Sequence, residues 1–331
     1  IKECDWSSDV CSSDLHEEDG FISGEKLSEE FGLSRTAIWK HVNALREDGY
    51  EIESVTRRGY RLISSPDIIN YDEVKGELTA SVIGKKLIHF RSVGSTNDKA
   101  KELAVNAEEG TVIVAEEQTS GKGRLGRSWS SPGRKGIYAS IILKPDMEPF
   151  NAAKLTLLGA AAVALALEDC GIESQIKWPN DIIINGKKAA GILTEMSSEL
   201  GIVNYIILGI GINVNQSVEE LPPELVDRAT SLMIAAGKAI QRKHLLAQVL
   251  NRLDELYAQF KETGDIDQAL DICRERSAVI GKDIIVVQGR KQRPGHAVSI
   301  NHDGELMVRF DEGLEQVISG EVSIRTEYGY I

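Results

Sequence analysis

The chain has 331 residues, a formal net charge of −13 and four cysteines. That length exceeds one ordinary hydrophobic core and implies two or three domains. The negative charge excludes a protein whose whole surface binds nucleic acid. The sparse cysteines exclude a disulfide framework or a C-x-x-C metal site, which suits a reducing, cytoplasmic compartment.

Residues 1–15 show neither apolar periodicity nor a basic-then-apolar targeting pattern, and their wording resembles a translated sequencing adaptor. They are set aside, Cys4 and Cys11 with them, so the helix that normally opens a winged helix domain is missing or replaced. Over 16–66 the chain reads as a winged helix-turn-helix. Ser23 caps a helix that Gly32 ends, and Ser34 caps a second in which Ala37, Ile38, Val42 and Leu45 recur at helical spacing. Off that stripe lie Arg35, Thr36, Trp39, Lys40, His41 and Asn43, side chains able to reach phosphates and base edges. Residues 51–55 and 60–63 alternate as two strands around Arg57-Arg58-Gly59, a wing. The pattern predicts a DNA-binding face made by Ser34, Arg35, Thr36, Trp39, Lys40, Arg57 and Arg58. A small helical domain used for dimerisation or packing is the competing reading.

Ser64-Ser65-Pro66 reads as a linker into a second domain, 67–277. Strands over 86–93, 111–115, 136–143, 175–178, 182–184, 190–195 and 205–210, with helices over 96–106 and 152–170, predict an α+β fold with a mixed sheet. The apolar stretch 155–167 is bounded by Lys154 and Glu168 and is shorter than the ~20 residues a bilayer demands. It reads as a core helix, and no segment reads as a membrane span or export signal. Asn185-Gly186 is a hairpin signal that places Lys188 at the start of the returning strand. Two helices, 243–261 and 266–277, precede a strand-rich third domain, 278–331, which reads as a small β-barrel. Cys170 and Cys273 fall in helical patterns.

Between the second and third strands of that domain lies Gly121-Lys122-Gly123-Arg124-Leu125-Gly126-Arg127. Alternate glycines let backbone N–H groups approach a ligand, while Lys122, Arg124 and Arg127 supply charge-assisted donors for carboxylate or phosphate. The segment fits the dinucleotide fingerprint G-x-G-x-x-G in letters but not in context, because Arg127-Ser128-Trp129-Ser130-Ser131-Pro132-Gly133 is turn chemistry and opens no helix. A phosphate loop fails too, for want of a Gly-Lys-Ser/Thr. A solvated basic turn is the bland alternative.

Its neighbours are Ser95-Thr96-Asn97-Asp98 and Glu116-Glu117-Gln118-Thr119-Ser120 upstream. Downstream come Lys177-Trp178-Pro179-Asn180-Asp181, Asn185-Gly186-Lys187-Lys188-Ala189-Ala190-Gly191-Ile192-Leu193 and Gly209-Ile210-Gly211-Ile212-Asn213. Together these blocks resemble the biotin protein ligases from about 87 to 215. With the helix-turn-helix ahead of them, they resemble the bifunctional form that also represses the biotin operon. The resemblance implies a winged helix-turn-helix, a class II synthetase-like catalytic domain and an SH3-like barrel. It implies biotin and ATP as substrates with Mg2+, a biotin carboxyl carrier protein as acceptor, operator DNA as partner, a homodimer and no membrane. A lipoate or octanoate ligase, and a ligand-sensing regulator without catalysis, are the other readings.

By the same resemblance Lys188 bridges the biotin carboxylate and the α-phosphate, and Arg124 holds the intermediate. Lys122 stands where the family often has arginine. Ser95, Thr96, Asn97 and Gln118 meet the ureido ring; taken singly, Ser95 and Thr96 read first as helix caps, a role compatible with that contact. Gly121 and Gly123 shape the loop, Arg127 adds a donor, and Trp129 packs on the loop or on the biotin ring. Lys177 contacts phosphate, Asp181 organises magnesium or ATP, and Asn213 lies beside them. Gly191, Gly209 and Gly211 mark close backbone approach, and Glu321 and Arg325 complete the ATP site.

Overall fold

Capping and apolar spacing build the N-terminal unit as the sequence suggests. In this computed structural model, which describes residues 20–47, 49–319 and 322–325, helix α1 (Gly24–Phe31) follows Ser23, whose side chain accepts from Lys26 N, and ends at Gly32 in the left-handed region. Helix α2 (Arg35–Glu47) buries Ile38, Val42 and Leu45. Strands β1 (Glu51–Val55) and β2 (Gly59–Ser64) pair antiparallel around Arg57, whose φ is 71°. Ile22 exchanges backbone hydrogen bonds with Tyr60, which closes a small core of Leu27, Ile38, Val42, Leu45, Tyr50 and Ile52. The adaptor-like 1–15 with Cys4 and Cys11, residue Glu321 and the side chain of Arg325 lie outside the described residues.

The second unit is a mixed sheet. Its elements are α3 (Tyr71–Val74), β3 (Leu87–Phe90), α4 (Thr96–Ala104), β4 (Val112–Ala115), β5 (Gly136–Leu143), α5 (Ala152–Asp169), β6 (Gln175–Lys177), β7 (Asp181–Ile184), β8 (Lys187–Glu199), β9 (Ile202–Asn213), α6 (Leu232–Ala236), α7 (Arg242–Thr263) and α8 (Asp267–Glu275). Seven strands run in the order β3-β4-β5-β9-β8-β7-β6, with β3 and β4 parallel and the other pairs antiparallel. Strands β8 and β9 extend well beyond the 190–195 and 205–210 read from sequence, because Ser197, Ser198 and Asn204 sit in a hairpin arm with polar rather than apolar alternation. Helix α5, with the turn before it, is long and apolar enough by composition to cross a membrane, but it is packed as a core helix with most of its residues buried.

The tail forms a five-stranded antiparallel sheet ordered β13-β12-β11-β10-β14, from β10 (Asp283–Gln288), β11 (Lys291–Ile300), β12 (Leu306–Phe310), β13 (Gly313–Val317) and β14 (Val322–Arg325). Its apolar face is continuous with the core of the mixed sheet, and Trp178 Nε1 donates to the carbonyl of Gly304 at 2.9 Å. The Lys177-Trp178-Pro179 segment is thereby fastened to the tail. Cys170 and Cys273 are free thiols.

Candidate active site

The glycine-rich loop is more regular than its sequence suggests. Gly121 accepts from Trp129 N at 2.8 Å, Lys122 bridges Ser128, and Gly123 N donates to Arg127 at 2.7 Å, so the segment returns on itself as a narrow ladder. At its tip Arg124–Gly126 makes a 3-10 turn with Leu125 at φ 56°. A Cβ at Gly121 would stand 2.5 Å from the carbonyl oxygen of Trp129, which makes this glycine a requirement of the ladder.

A narrow pocket of about 50 Å³ lies between this ladder, the start of α4 and the middle of β8 and β9. Ser95, Thr96, Asn97, Gln118, Lys122, Gly123, Arg124, Trp129, Lys188, Gly191, Gly209 and Gly211 line it as a group. Ser95 occupies the cap position of α4, yet its side chain makes no capping hydrogen bond. The Gln118 carbonyl oxygen accepts from Thr96 N at 2.8 Å, and the Thr96 hydroxyl lies 3.0 Å from that oxygen and 2.8 Å from the Ser140 hydroxyl. Ser95 is thus the cap residue by position and not by a side-chain hydrogen bond, and both residues line the pocket. Gln118 Nε2 donates to Ser131, and Ser140 donates to Asn97 Oδ1 at 2.6 Å. Ser131 and Ser140 were not singled out in the sequence.

Trp129 forms the wall between this pocket and a second, larger cleft. Its ring packs so closely on β8 and β9 that a Cβ at Gly211 would be 2.8 Å from the indole, and one at Gly191 3.2 Å. Glycine is the side chain these strands can carry there. The indole N–H is buried with no hydrogen-bond partner among the described residues, a donor directed at a site where an acceptor would be welcome.

The larger cleft, about 560 Å³, shares Gly123, Arg124, Trp129, Asn180 and Lys188 with the narrow pocket. It is lined further by Arg127, Lys177, Asp181 and Asn213. Lys188 reaches the junction because β8 carries one extra residue against β7, with Ile183 opposite Lys188 and Ile182 opposite Ala190, a bulge that re-aims the side chain. Its backbone is clamped by Arg228 and Thr230, its ammonium is ion-paired with Asp181, and it stands 5.2 Å from the Trp129 ring. Arg124 donates to Asn180 Oδ1 at 2.8 Å, and Asn180 is tied to Ile192 through both side chain and backbone. Asn180 lay inside a quoted block but was given no role; its partner 56 residues away is what reveals one. Asn213 Nδ2 donates to the carbonyl of Thr230. Lys122 is drawn off the loop to Asp98 at 2.6 Å, and that contact, chiefly the hydrogen bond, raises its pKa.

The expected DNA face is separate from this centre. Thr36, Trp39 and Lys40 are exposed on α2, while Ser34 caps that helix through Ala37 N at 3.2 Å. Arg35 is ion-paired with Glu25 at 3.0 Å in an open position, and Arg58 lies 4.4 Å from the Phe21 ring. Arg57 occupies the turn of the wing.

Residues 89–213 match the biotin/lipoate A/B protein ligase family, and residues 15–61 match an HTH domain. Over 306 residues the chain is 42% identical to the bifunctional ligase/repressor BirA of Bacillus subtilis (strain 168), covering 92% of this chain and 94% of that protein. It is 28% identical over 307 residues to the bifunctional ligase/repressor BirA of Escherichia coli (strain K12), with coverage of 92% and 94%. A solved biotin protein ligase from Aquifex aeolicus in complex with biotin and ATP aligns with a TM-score of 0.65 and 35% identity, over 73% of this chain and 100% of that one. The chain belongs to the biotin protein ligase family, in the bifunctional ligase/repressor group.

Proposed function

We propose that the chain joins biotin to ATP, transfers the biotinyl group to a lysine of a biotin carboxyl carrier protein, and acts as a biotin-responsive repressor of biotin synthesis genes. The observation that carries the catalytic reading is the junction where Lys188, Arg124, Asn180 and Trp129 belong to both a pocket lined by small polar groups and a larger cationic cleft. Hydroxyls and amides suit the neutral ureido ring; lysines and arginines suit phosphates.

In the first half-reaction a biotin carboxylate oxygen attacks the α-phosphorus, a P–O bond forms, the bond to the β-phosphate breaks, and pyrophosphate leaves. Two anions must meet, so positioning and fixed positive charge supply most of the catalysis. Lys188 and Arg124 bring that charge to the carboxylate and α-phosphate, and Lys177 and Arg127 bring it to the rest of the triphosphate. In the second half-reaction the neutral amine of the acceptor lysine attacks the carbonyl carbon, a C–N bond forms, AMP leaves, and the amine loses its proton to water. Among the described residues no group of three or more His, Cys, Asp or Glu side chains converges on one point. That donor set fits magnesium carried in with ATP, whose ligands are mostly phosphate and water, with Asp181 as its protein carboxylate, and it does not fit a resident metal. When bound, the ion neutralises phosphate charge.

Pyrophosphate exchange into ATP, run with biotin, with lipoate and with neither, tests this directly. Exchange dependent on biotin is the expected result; exchange with lipoate moves the substrate to the sister ligases. For the repressor reading, Thr36, Trp39, Lys40 and the wing arginines supply a face for a major groove, and two copies in a homodimer span two half-sites of the operator. Operator binding is expected to tighten with biotin plus ATP, and binding indifferent to both would remove the sensor role.

A further inference from the structure

Asn97 is held from both ends on the floor of the narrow pocket. Its Nδ2 donates to Glu195 Oε2 at 2.7 Å and to the carbonyl of Leu193 at 3.5 Å, while its Oδ1 accepts the Ser140 hydroxyl at 2.6 Å. That oxygen rests on bare backbone, for a Cβ at Gly209 would lie 2.3 Å from it. The second oxygen of Glu195 receives Lys101 Nζ at 2.6 Å. One carboxylate thus serves two donors that are four residues apart on the same face of α4.

An ionised carboxylate offers no hydrogen, so the group opposite it must donate. Glu195 therefore excludes the flipped amide, in which Asn97 Oδ1 would face a negative charge. Asn97 lines the pocket, and with its Nδ2 engaged by Glu195 and Leu193 the group it can offer a ligand there is its oxygen. That oxygen has two lone pairs, of which Ser140 takes one, its own oxygen then accepting from the Thr96 hydroxyl 2.8 Å away, and the other is left for an N–H on a ligand. Glu195 is not among the residues that line the pocket, so it acts through Asn97.

Resting on the biotin reading of this pocket, we propose that Glu195 is a positioning residue that fixes Asn97 as a hydrogen-bond acceptor and so selects a ring bearing N–H groups over a ring that has none. A site built to accept an N–H rejects the analogue lacking it, because its own polar atom is then left unpaired. Selection of this kind separates a ureido ring from a dithiolane of similar size. The role is fixed by charge, not by volume, and that separates it from a rim ion pair with Lys101 alone.

The test uses Glu195→Gln, Lys101→Met and the double variant in the full chain, with folding checked by thermal melts. Glutamine has one carbonyl oxygen where glutamate has two acceptors. Lys101 claims it and turns the amide N–H₂ toward Asn97, which flips. Glu195→Gln should raise the calorimetric Kd and the KM for biotin roughly tenfold, the weight of one charge-assisted hydrogen bond, with kcat and the KM for ATP within about twofold. Lys101→Met alone should bind biotin as the parent does. In the double variant the glutamine oxygen is returned to Asn97, and most of the biotin affinity should return with it. A biotin methylated on a ureido nitrogen should be discriminated less by Glu195→Gln than by the parent. An unchanged biotin Kd, a loss that Lys101→Met does not relieve, or an equal shift in the KM for ATP would overturn the proposal. Parent protein that bound no biotin in calorimetry would overturn the biotin reading first, and this proposal with it.

Discussion

Lys188 is ion-paired with Asp181 at the mouth shared by the narrow pocket and the larger cleft. The pair stations the ammonium there, where an arriving carboxylate and phosphate would compete with Asp181 for it. Because its backbone is held by Arg228 and Thr230, the side chain needs only a rotamer change to serve them. Lys188→Ala should lower kcat for adenylate formation by about 10²–10³, the usual cost of one donor aimed at developing charge. Biotin affinity should fall far less, since the polar groups proposed to meet the ureido ring stand beyond Trp129. Single-turnover adenylate formation together with calorimetry separates the two effects, and full-rate adenylation by Lys188→Ala would remove the lysine from the mechanism.

The ladder of the glycine-rich loop, residues 121–129, carries the corresponding argument for an element. Gly121→Ala places a methyl 2.5 Å from the backbone oxygen of Trp129, and backbone cannot yield as a flexible side chain can. The loop should lose its return path, so kcat/KM should fall for biotin and for ATP alike while the melting temperature moves little, because the loop contributes little to the core. Protease cleavage within 121–129 should quicken; a variant with parental cleavage and kinetics would refute the ladder's role. Much of this region was legible in sequence because its determinants are local. Asn185 and Gly186 take φ values of 51° and 74°, as their type of hairpin turn requires, and that put Lys188 on β8. The 3-10 turn at Arg124–Gly126 was not legible, since Leu125 gives no local sign of a left-handed residue. Nor were Ser140, Asn180 and Glu195, whose partners lie 43, 56 and 98 residues away and meet them only through the sheet.

For the whole molecule, the short linker is anchored and not loose. Asp67 accepts from Arg242 N and Nε and from Lys243 N, capping the start of α7, while Arg242, fully buried, reaches on to Glu116 at 2.7 Å. Burial pushes the Glu116 carboxyl up, but the His89 hydrogen bond and the Arg242 charge outweigh it and hold the group at about 2 against an ordinary 4.5. A depressed carboxylate contributes stability above its unfolded value and loses it as pH falls through the folded one. Glu116→Gln should therefore cost about 3 kcal/mol near neutrality, a cost that shrinks between pH 4.5 and 2; a pH-independent difference in denaturant midpoints would contradict this. Two residues beyond Glu116 lies Gln118 of the pocket, and on the other side the same cluster meets the winged helix. Lys243 Nζ donates to Ser65 in the linker at 2.7 Å and to Glu73 at 2.6 Å, and Glu73 accepts the Tyr50 hydroxyl at 3.0 Å. A change at the pocket can reach the DNA-binding unit only through contacts that differ between two arrangements, and these are polar contacts that join the units among the described residues. Lys243→Met keeps the apolar stem and removes the ammonium from Ser65 and Glu73. Adenylation should proceed at the parental rate, whereas the tightening of operator binding by biotin plus ATP should drop by about tenfold, the scale of one coupling contact. Parallel pyrophosphate exchange and operator titration check it: retained tightening would place the coupling elsewhere, and lost adenylation would show that Lys243 supports the catalytic fold instead of the link.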